Sequence, residues 1–277
     1  MPEGPEVTRI AKQLNEYIQN GDNTLISIWP LSGRYTKSPI PGLIDLHLPT
    51  VVKAVYNHGK FIYWELANEK YIFSTLGMTG GYLPYLDNYA RVQFNLNGRI
   101  IYYTDIRNFG TFKITNEVEL VKKLKTLGPD MLNVSCSDAV FSSRFRKYPN
   151  MNIASALMEQ KIISGVGNIY KSESLYWAGL HPMRKISSLT DQELIKLRES
   201  VVNVLFSAYK AGGSTIRNYK DFYGEEGQYT NGDPAKLLSE KYQRAVYGKS
   251  KDPKGFKVER IFVGDGRTTY YVKELQK

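Results

Sequence analysis

Apolar residues near the start of the chain recur every three or four positions. They are Val7, Ile10, Ala11, Leu14 and Ile18. Because residues three and four apart share one face of an α-helix, this spacing predicts an amphipathic helix that ends at Gly21. We expect this helix to hold the residues that precede it in a fixed place.

The pattern becomes that of β-structure between about residues 24 and 115. Runs rich in aromatic and β-branched residues are separated by turn residues, and Asn97-Gly98 is a strong hairpin signal. We expect a β-sandwich or a flattened barrel with one helix attached. The clearest strands are predicted at residues 60–66, 70–74, 91–96 and 99–104.

Helical patterns dominate after about residue 135. Thr190-Asp191-Gln192-Glu193 is a capping-box signature for a long helix that ends at Gly212-Gly213. Residues 214–244 are polar, and their glycines and tyrosines suggest mobility rather than core. The helices are predicted at residues 117–127, at 153–160, from the turn at 164–168 to about 178, and from 190 onward.

Two β-patterned runs, 257–263 and 267–273, surround Gly264-Asp265-Gly266 near the C-terminus and predict a β-hairpin. The fold class is therefore predicted as α+β. The predicted domains are an N-terminal β-sandwich at 1–130, a linker at 131–150, a helical domain at 151–245 and the hairpin at 246–277.

Composition narrows the class of partner. The chain has a net charge of +10, which favours a polyanion, and nucleic acid is the first candidate. A single cysteine, Cys136, excludes an internal disulfide, and three histidines are too few for a Cys/His zinc site of the usual spacing. No apolar run reaches the length of a membrane span, and Glu3 and Glu6 stand where a signal peptide would be basic. We expect an intracellular protein.

The sequence begins Met1-Pro2-Glu3-Gly4-Pro5. Removal of Met1 would leave Pro2 with a free secondary amine, which can attack an electrophilic carbon as catalytic lysines do. Glu3 beside it is suited to move protons. The alternative from these residues alone is that Pro5 opens the first helix and Pro2 has no chemical role.

Three motifs together resemble the formamidopyrimidine-DNA glycosylase/endonuclease VIII family. They are the N-terminal Pro2-Glu3, the run Gly165-Val166-Gly167-Asn168-Ile169-Tyr170 between two helical patterns, and Gly266-Arg267-Thr268-Thr269-Tyr270-Tyr271. Their order and separation extend the resemblance over nearly the whole chain. It implies that residues 164–168 belong to a helix–two-turn–helix motif.

The resemblance assigns roles to residues of the helical motif and of one strand entry. Asn168 would be a phosphate ligand, with Gly165 and Gly167 allowing close approach of the backbone. From the residues alone, Asn168 serves equally well as the N-cap of the following helix. Lys60, in His58-Gly59-Lys60-Phe61, would approach the DNA backbone and assist proton transfer. Alone, it would be an exposed edge-strand lysine.

A wedge is implied at two turn segments, 76–80 and 105–110. By resemblance, Met78, Arg107 and Phe109 would fill the space left by an everted nucleotide. Without the resemblance, Met78 and Phe109 would be assigned to the core. Asn108 stands where the family has a second arginine, so one phosphate contact is in doubt, and Arg91 is a substitute candidate. The family lysine that precedes the helical motif is matched by Ala154.

The C-terminal hairpin resembles the family's zinc finger without its metal. The four cysteine positions match Lys254, Lys257, Val272 and Leu275. Arg267 matches the fingertip arginine, which would bind the phosphate flanking the lesion and assist elimination. This zincless finger points to the endonuclease VIII-like branch of giant-virus and vertebrate enzymes. Apolar side chains are expected to stabilise the hairpin in place of a zinc ion, namely those of Val258, Ile261, Val263 and Val272.

The resemblance implies a bifunctional DNA glycosylase/AP lyase of base excision repair. Pro2 would form a Schiff base, Glu3 would assist opening of the sugar ring, and Glu6 would order the amine or the flipped nucleotide. No cofactor is needed. The implied substrates are oxidised pyrimidines and ring-opened or hydantoin purines, with residues 219–235 as the lesion-contacting loop. The partner would be damaged DNA, either duplex or single-stranded. The protein would act as a monomer and would not associate with a membrane.

Two other functions fit part of the sequence. A non-catalytic DNA-binding protein on the same scaffold would keep Asn168 and Arg267 but would need neither Pro2 nor Glu3. A small-molecule enzyme that uses an N-terminal proline as its base would explain Pro2 but not the charge of +10. DNA dependence of the activity separates this last class from the first.

Overall fold

The computed structural model describes residues 1–133, 136–215, 219–229 and 244–277. Contacts divide the chain into two compact units. The first comprises residues 1–126 and 212–227, and the second comprises residues 127–211 and 228–277. Residues 212–227 thus fold with the N-terminal half, although their position in sequence placed them in the helical domain.

The first unit contains helix α1 (Gly4–Gln19) and eight strands, followed by helix α2 (Glu117–Lys125). Both helices and the four strands singled out from the sequence are confirmed to within a few residues. The strands are β1 (Thr24–Pro30), β2 (Thr50–His58), β3 (Phe61–Leu66), β4 (Lys70–Thr75), β5 (Gly80–Leu83), β6 (Ala90–Leu96), β7 (Arg99–Asp105) and β8 (Thr111–Asn116).

These strands pair antiparallel in the order β5-β7-β6-β1-β2-β3-β4-β8. The two ends of this order face each other across the core, since Tyr82 of β5 and Phe112 of β8 have ring centroids 6.4 Å apart at 85°. Trp64 and Phe94 stack in the same core at 4.9 Å. The sheet therefore folds back on itself as a sandwich-like layer pair, as predicted.

The prediction that residues 214–244 are mobile rather than core is wrong for the described part of the segment in this unit. Tyr219 and Phe222 are buried in the same core as α1 and the sheet. Their rings add apolar surface beside the amphipathic helix, and Phe222 contacts Tyr17 with centroids 5.0 Å apart. Local composition did not indicate this because the partners lie some two hundred residues away.

The second unit contains helices α3 (Asp138–Arg146), α4 (Ile153–Met158), α5 (Asn168–Ala178) and α6 (Asp191–Lys210), and strands β9 (Glu259–Phe262) and β10 (Thr268–Tyr271). Helix α3 lies in the segment predicted as a linker. It forms because Phe141 and Phe145, one turn apart, are both fully buried and contact each other at 4.5 Å. The capping box of α6 at Thr190 is confirmed.

Strands β9 and β10 form the predicted antiparallel hairpin, with Thr268 opposite Phe262. Val258 and Val272 pack into a cluster with Tyr176, Ala245 and Val246. Val263 is also buried, whereas Ile261 is only partly so. Among the described residues, none of the helices has the length and apolar character needed to span a membrane.

Candidate active site and nucleic-acid interface

The N-terminal residues are fixed by a buried carboxylate. Glu6, in the first turn of α1, is fully buried, and its Oε2 accepts a hydrogen bond from the backbone N–H of Glu3 at 2.8 Å. Its Oε1 accepts from the backbone N–H of Ser214 at 2.7 Å. Glu3 is 2% exposed and Pro2 is buried beside it. One side chain therefore joins the first residues of the chain to the segment at 212–227.

A second set of bonds ties the same segment to α1. Asp221 accepts from Arg9 Nε at 2.9 Å and from Gln13 Nε2 at 2.8 Å. Burial alone would raise the pKa of Asp221, but hydrogen bonds from Gln13, the Glu225 amide and Arg9 lower it below its ordinary value. Asp221 is thus held as a carboxylate. Sequence reasoning missed this contact because nothing local to either segment signals the other.

Lys60 lies in the turn between β2 and β3 and is partly buried. Asn57 lies near the end of β2, three residues before Lys60. Its side chain donates to Thr8 Oγ1 at 2.8 Å and to the carbonyl of Gly59 at 3.2 Å. Since Thr8 belongs to α1, this amide fixes the turn that carries Lys60 to the helix that carries the N-terminus. The alternative of an exposed edge-strand lysine does not describe this position.

The three residues assigned to the wedge lie in two neighbouring turns of the first unit. Phe109 is 55% exposed, Arg107 is exposed, and Met78 is partly exposed. The assignment of Met78 and Phe109 to the core is therefore wrong. The first turn ends and the second begins where β5 and β7 pair, with Gly80 opposite Asp105.

A buried carboxylate organises both turns. Asp105 is fully buried, and its Oδ1 accepts from the hydroxyl of Thr79 and from the backbone N–H of Arg107 at 3.2 Å. Its Oδ2 accepts from the backbone N–H of Gly110 at 2.8 Å and from the Tyr103 hydroxyl at 3.3 Å. Sequence reasoning gave Asp105 no role, although its place at the start of the Asp-Ile-Arg-Asn-Phe-Gly turn was a usable signal.

Arg91 donates to protein acceptors around the same turn. Its Nε contacts the carbonyl of Asp105 at 2.8 Å, its Nη2 that of Ile106 at 3.3 Å, and its Nη1 the hydroxyl of Ser32 at 2.9 Å. These bonds hold the backbone that precedes Arg107. A direct phosphate contact by Arg91 stays a prediction.

Asn108, the residue in place of the second arginine, has a φ of +54°. Asparagine adopts this left-handed conformation more readily than most residues. Its carbonyl accepts from Arg34 Nη2 at 2.7 Å. The turn thus gains an arginine from a distant segment, which no local motif indicated.

The helix–two-turn–helix motif is formed by α4, residues 159–167 and α5. Gln160 holds its turn, because Nε2 donates to the carbonyl of Val166 at 2.9 Å and Oε1 accepts from the N–H of Gly165 at 3.1 Å. Gly165 has a φ of +97°, a conformation open mainly to glycine. Ala154, at the position of the family lysine, is fully buried.

Asn168 is the first residue of α5, and Gly167 is the N-cap. The alternative that Asn168 caps this helix is therefore wrong. Its Nδ2 instead donates to the carbonyl of Thr268 at 3.0 Å, next to Arg267 in the hairpin. Asn168 and the exposed Arg267 are thus brought together within the second unit, beside the N-terminal amides of α5, which favour an anion.

Metal ligands do not gather in the described ranges, where no three His, Cys, Asp or Glu side chains are placed to hold an ion. At the four positions matched to the family cysteines, Val272 is buried, Leu275 is partly buried, and Lys254 and Lys257 are exposed. Of the predicted lesion loop, residues 219–227 fold with the first unit, and residues 230–235 lie outside the described residues.

The sequence matches two family descriptions. Residues 1–112 match the formamidopyrimidine-DNA glycosylase N-terminal domain, and residues 127–220 match the formamidopyrimidine-DNA glycosylase H2TH domain. The chain is similar to the formamidopyrimidine-DNA glycosylase of Oceanobacillus iheyensis, with 32% identity over 83% of this chain and 84% of the relative. The Exiguobacterium enzyme of the same name is 30% identical over the full length of both chains.

Solved structures give the same result. The MutM (Fpg) protein of Thermus thermophilus superposes with a TM-score of 0.83 at 27% identity, over 99% of this chain and 98% of that one. MutM in complex with DNA containing carbocyclic 8-oxo-G superposes with a TM-score of 0.82 at 25% identity over the full length of both. These relatives do not identify the endonuclease VIII-like branch, which stays a prediction. The chain belongs to the formamidopyrimidine-DNA glycosylase family and is a DNA glycosylase of base excision repair.

Proposed function

We propose that the protein removes oxidised bases through a Schiff base at Pro2 and then cleaves the DNA strand by β,δ-elimination. The Pro2 nitrogen, freed of Met1, forms a bond to C1′ as the N-glycosidic bond breaks and the base leaves with the bonding electrons. A proton delivered to the ring oxygen opens the sugar and gives an iminium. The iminium acidifies the C2′ proton, and loss of that proton expels the 3′ phosphate. Loss of the C4′ proton then expels the 5′ phosphate. The iminium formed from the amine is the electron sink, and no cofactor is needed.

The observation that carries this proposal is the buried carboxylate of Glu6. It holds the backbone of Glu3 at 2.8 Å and that of Ser214 at 2.7 Å. A nucleophile gains most when its position is fixed before the reaction, because the cost of ordering it has already been met. In this proposal Glu3, which is buried next to Pro2, delivers the proton that opens the ring, and Lys60 assists proton transfer; the burial of Glu3 supports its part.

The binding part of the proposal assigns damaged DNA to two groups of residues. Asn168, with the turn glycines Gly165 and Gly167, binds a backbone phosphate at the start of α5, and Arg267 binds the phosphate flanking the lesion. Met78, Arg107 and Phe109 occupy the duplex in place of the everted nucleotide. The net charge of +10 supports non-specific attraction to the duplex.

The substrates that we propose are oxidised pyrimidines first, then ring-opened and hydantoin purines. Ring-opened purines agree with the name of the bacterial relatives. The oxidised pyrimidines rest on the resemblance of the hairpin, with Val272 and Leu275 at two family cysteine positions, to the zincless branch.

The test is a single-turnover assay on matched duplexes that carry thymine glycol, 5-hydroxyuracil, a formamidopyrimidine, a hydantoin or 8-oxoguanine. We expect the two pyrimidine lesions to be released fastest, the formamidopyrimidine and the hydantoin next, and 8-oxoguanine slowest. The expected product is a one-nucleotide gap with phosphate at both ends. Fastest release of 8-oxoguanine would contradict the proposed specificity. A product whose upstream fragment still carries an unsaturated sugar at its 3′ end would contradict the δ-elimination step.

A further inference from the structure

Helix α5 carries a buried lysine directly after the glycine-rich turn at residues 165–167. Lys171 lies one turn after Asn168, its side chain has no solvent exposure, and its Nζ is 2.7 Å from Asp265 Oδ2. The Asp265 side chain is only 7% exposed. A buried charge is costly unless it is paired and hydrogen-bonded, so this ion pair is a specific feature of the unit rather than an incidental surface contact.

Asp265 links this lysine to the fingertip. It lies in the turn between β9 and β10, and its Oδ1 accepts a hydrogen bond from the backbone N–H of Arg267 at 2.9 Å. One carboxylate therefore contacts Lys171 through one oxygen and the backbone of Arg267 through the other. On the far side of the arginine, the carbonyl of Thr268 accepts from Asn168 Nδ2 at 3.0 Å.

Two side chains from one face of α5 thus hold the hairpin on both sides of Arg267. Asn168 and Lys171 are three residues apart, a spacing that places them on one helix face. Packing at the two turn glycines does not fix the tip, because a Cβ built at Gly264 or Gly266 meets no atom within 4 Å. The turn's position therefore depends on the polar contacts made by Asp265 and Thr268.

The pair also removes a charge that would oppose DNA. An isolated carboxylate at Asp265, two residues before Arg267, would repel a phosphate approaching the arginine. Lys171 neutralises that carboxylate from the protein side. Position and charge are separate effects, and different substitutions remove them.

We propose that Lys171 is a positioning residue for Arg267 and that it acts through its buried ion pair with Asp265. The proposal rests on the proposed function, in which Arg267 binds the phosphate flanking the lesion. Lys171 does not touch DNA itself. It fixes the turn so that the arginine reaches the phosphate without reorganisation.

The test combines Lys171→Met, the double variant Lys171→Met/Asp265→Asn, and each of these in an Arg267→Ala background. The double variant leaves no unpaired buried charge, and the introduced amide oxygen can still accept from the Arg267 N–H, so this variant carries the test if Lys171→Met fails to fold. Arg184→Met is the matched control, because it breaks the ion pair with Glu193 elsewhere in the same unit. The readouts are Kd for a duplex with a tetrahydrofuran abasic analogue, the single-turnover cleavage rate at saturating protein, and the thermal midpoint.

We expect Lys171→Met and the double variant to lower the saturated rate by about tenfold, as a misplaced contact would. Neither should reduce it further once Arg267 is alanine. Arg184→Met should lower the thermal midpoint but keep the rate. The inference is overturned if the losses multiply in the Arg267→Ala background, or if the double variant has the wild-type rate. If Arg267→Ala itself leaves Kd and rate unchanged, the role of Arg267 in the proposed function fails, and the inference fails with it.

Discussion

The guanidinium Nη1 of Arg107 lies 3.2 Å from the sulfur of Met78. The two residues come from different turns, and the contact joins their exposed ends into one projection. Phe109, two residues after Arg107, is also more than half exposed. An arginine, a thioether and an exposed aromatic ring on two neighbouring turns fit the proposed wedge, which needs donors for the orphaned base and apolar bulk for the gap.

Asp105 should be essential for the stability of this projection. One oxygen of Asp105 accepts from Thr79 and Arg107 and the other from Gly110 and Tyr103, and replacement by asparagine turns one of these acceptors into an amide NH₂ donor. At least one buried donor then loses its acceptor, which costs about 1–3 kcal/mol in the free energy of unfolding. Urea denaturation measures this loss. The exposed Asp45→Asn is the control, and an equal, small effect for both variants would contradict the account.

Removing the wedge should affect duplex DNA more than single strands. We expect Arg107→Ala and Phe109→Ala each to slow release of a lesion from duplex by about tenfold, because the everted state loses the groups that occupy the gap. A single strand has no orphaned base, so cleavage of a single-stranded abasic site should keep nearly the wild-type rate. Parallel single-turnover assays on the two substrates provide the comparison. Equal losses on both would mean that these residues do not act in the gap.

Asn168 and Arg267 should differ in the salt dependence of DNA binding. Asn168→Ala removes hydrogen bonds to a phosphate but no charge, so affinity should fall by about tenfold while the slope of log Kd against log salt stays unchanged. Arg267→Ala removes a cation and should reduce that slope by about 1. Binding titrations over a range of salt concentrations measure both. Asn203→Ala in α6 is the control. A slope that Asn168→Ala alters even in the Arg267→Ala background would contradict the role of Asn168 as a neutral ligand.

The stability of the helical unit should depend on pH through Glu193. Its hydrogen bond from Arg184 lowers the pKa of this carboxyl to about 2, from an ordinary value of 4.5. A lowered folded-state pKa gives stabilisation that is complete above pH 4.5 and is lost as the pH falls toward 2. Because the pair is partly solvated, Glu193→Gln should cost about 1 kcal/mol at pH 7. That difference should shrink as the pH falls from 4.5 toward 2, and a difference independent of pH would contradict the assignment.

The sequence predicted the helices and the hairpin whose signals lie within the element itself. Each of three signals lies in or next to the element that it predicts: the capping box at Thr190 for α6, the apolar face for α1, and the glycines around Asp265 for the hairpin turn. Helix α3 was missed because two phenylalanines are a weak periodic signal in nine residues. The residues alone placed Phe109 in the core, because an isolated aromatic in a strand-rich region is usually buried, and only the family resemblance placed it in an exposed wedge.

The candidate site could be predicted only in part, because the contacts that hold it join segments far apart in the sequence. The candidate site residues stood in motifs, and the resemblance already assigned Glu6 to ordering the amine. The partner of Glu6 and the pair that holds the hairpin turn stood in no motif. Glu6 meets Ser214, and Lys171 meets Asp265, only when segments distant in the sequence are folded together. No periodicity or spacing encodes such a pair. The same reasoning explains Asn168, whose helix-start position allowed an N-cap interpretation until its bond to Thr268 was seen.

The central claim is that the Pro2 nitrogen attacks the sugar. It is tested most directly by borohydride trapping on a duplex with one abasic site, followed by peptide mapping of the adduct. Three proteins are compared: the chain shown by mass spectrometry to begin at Pro2, the same chain retaining Met1, and Pro2→Gly. We predict a covalent adduct at Pro2 in the first, none in the second because its nitrogen is an amide, and a large loss in the third. No adduct from the chain that begins at Pro2, or an adduct mapped to Lys60, would contradict the mechanism.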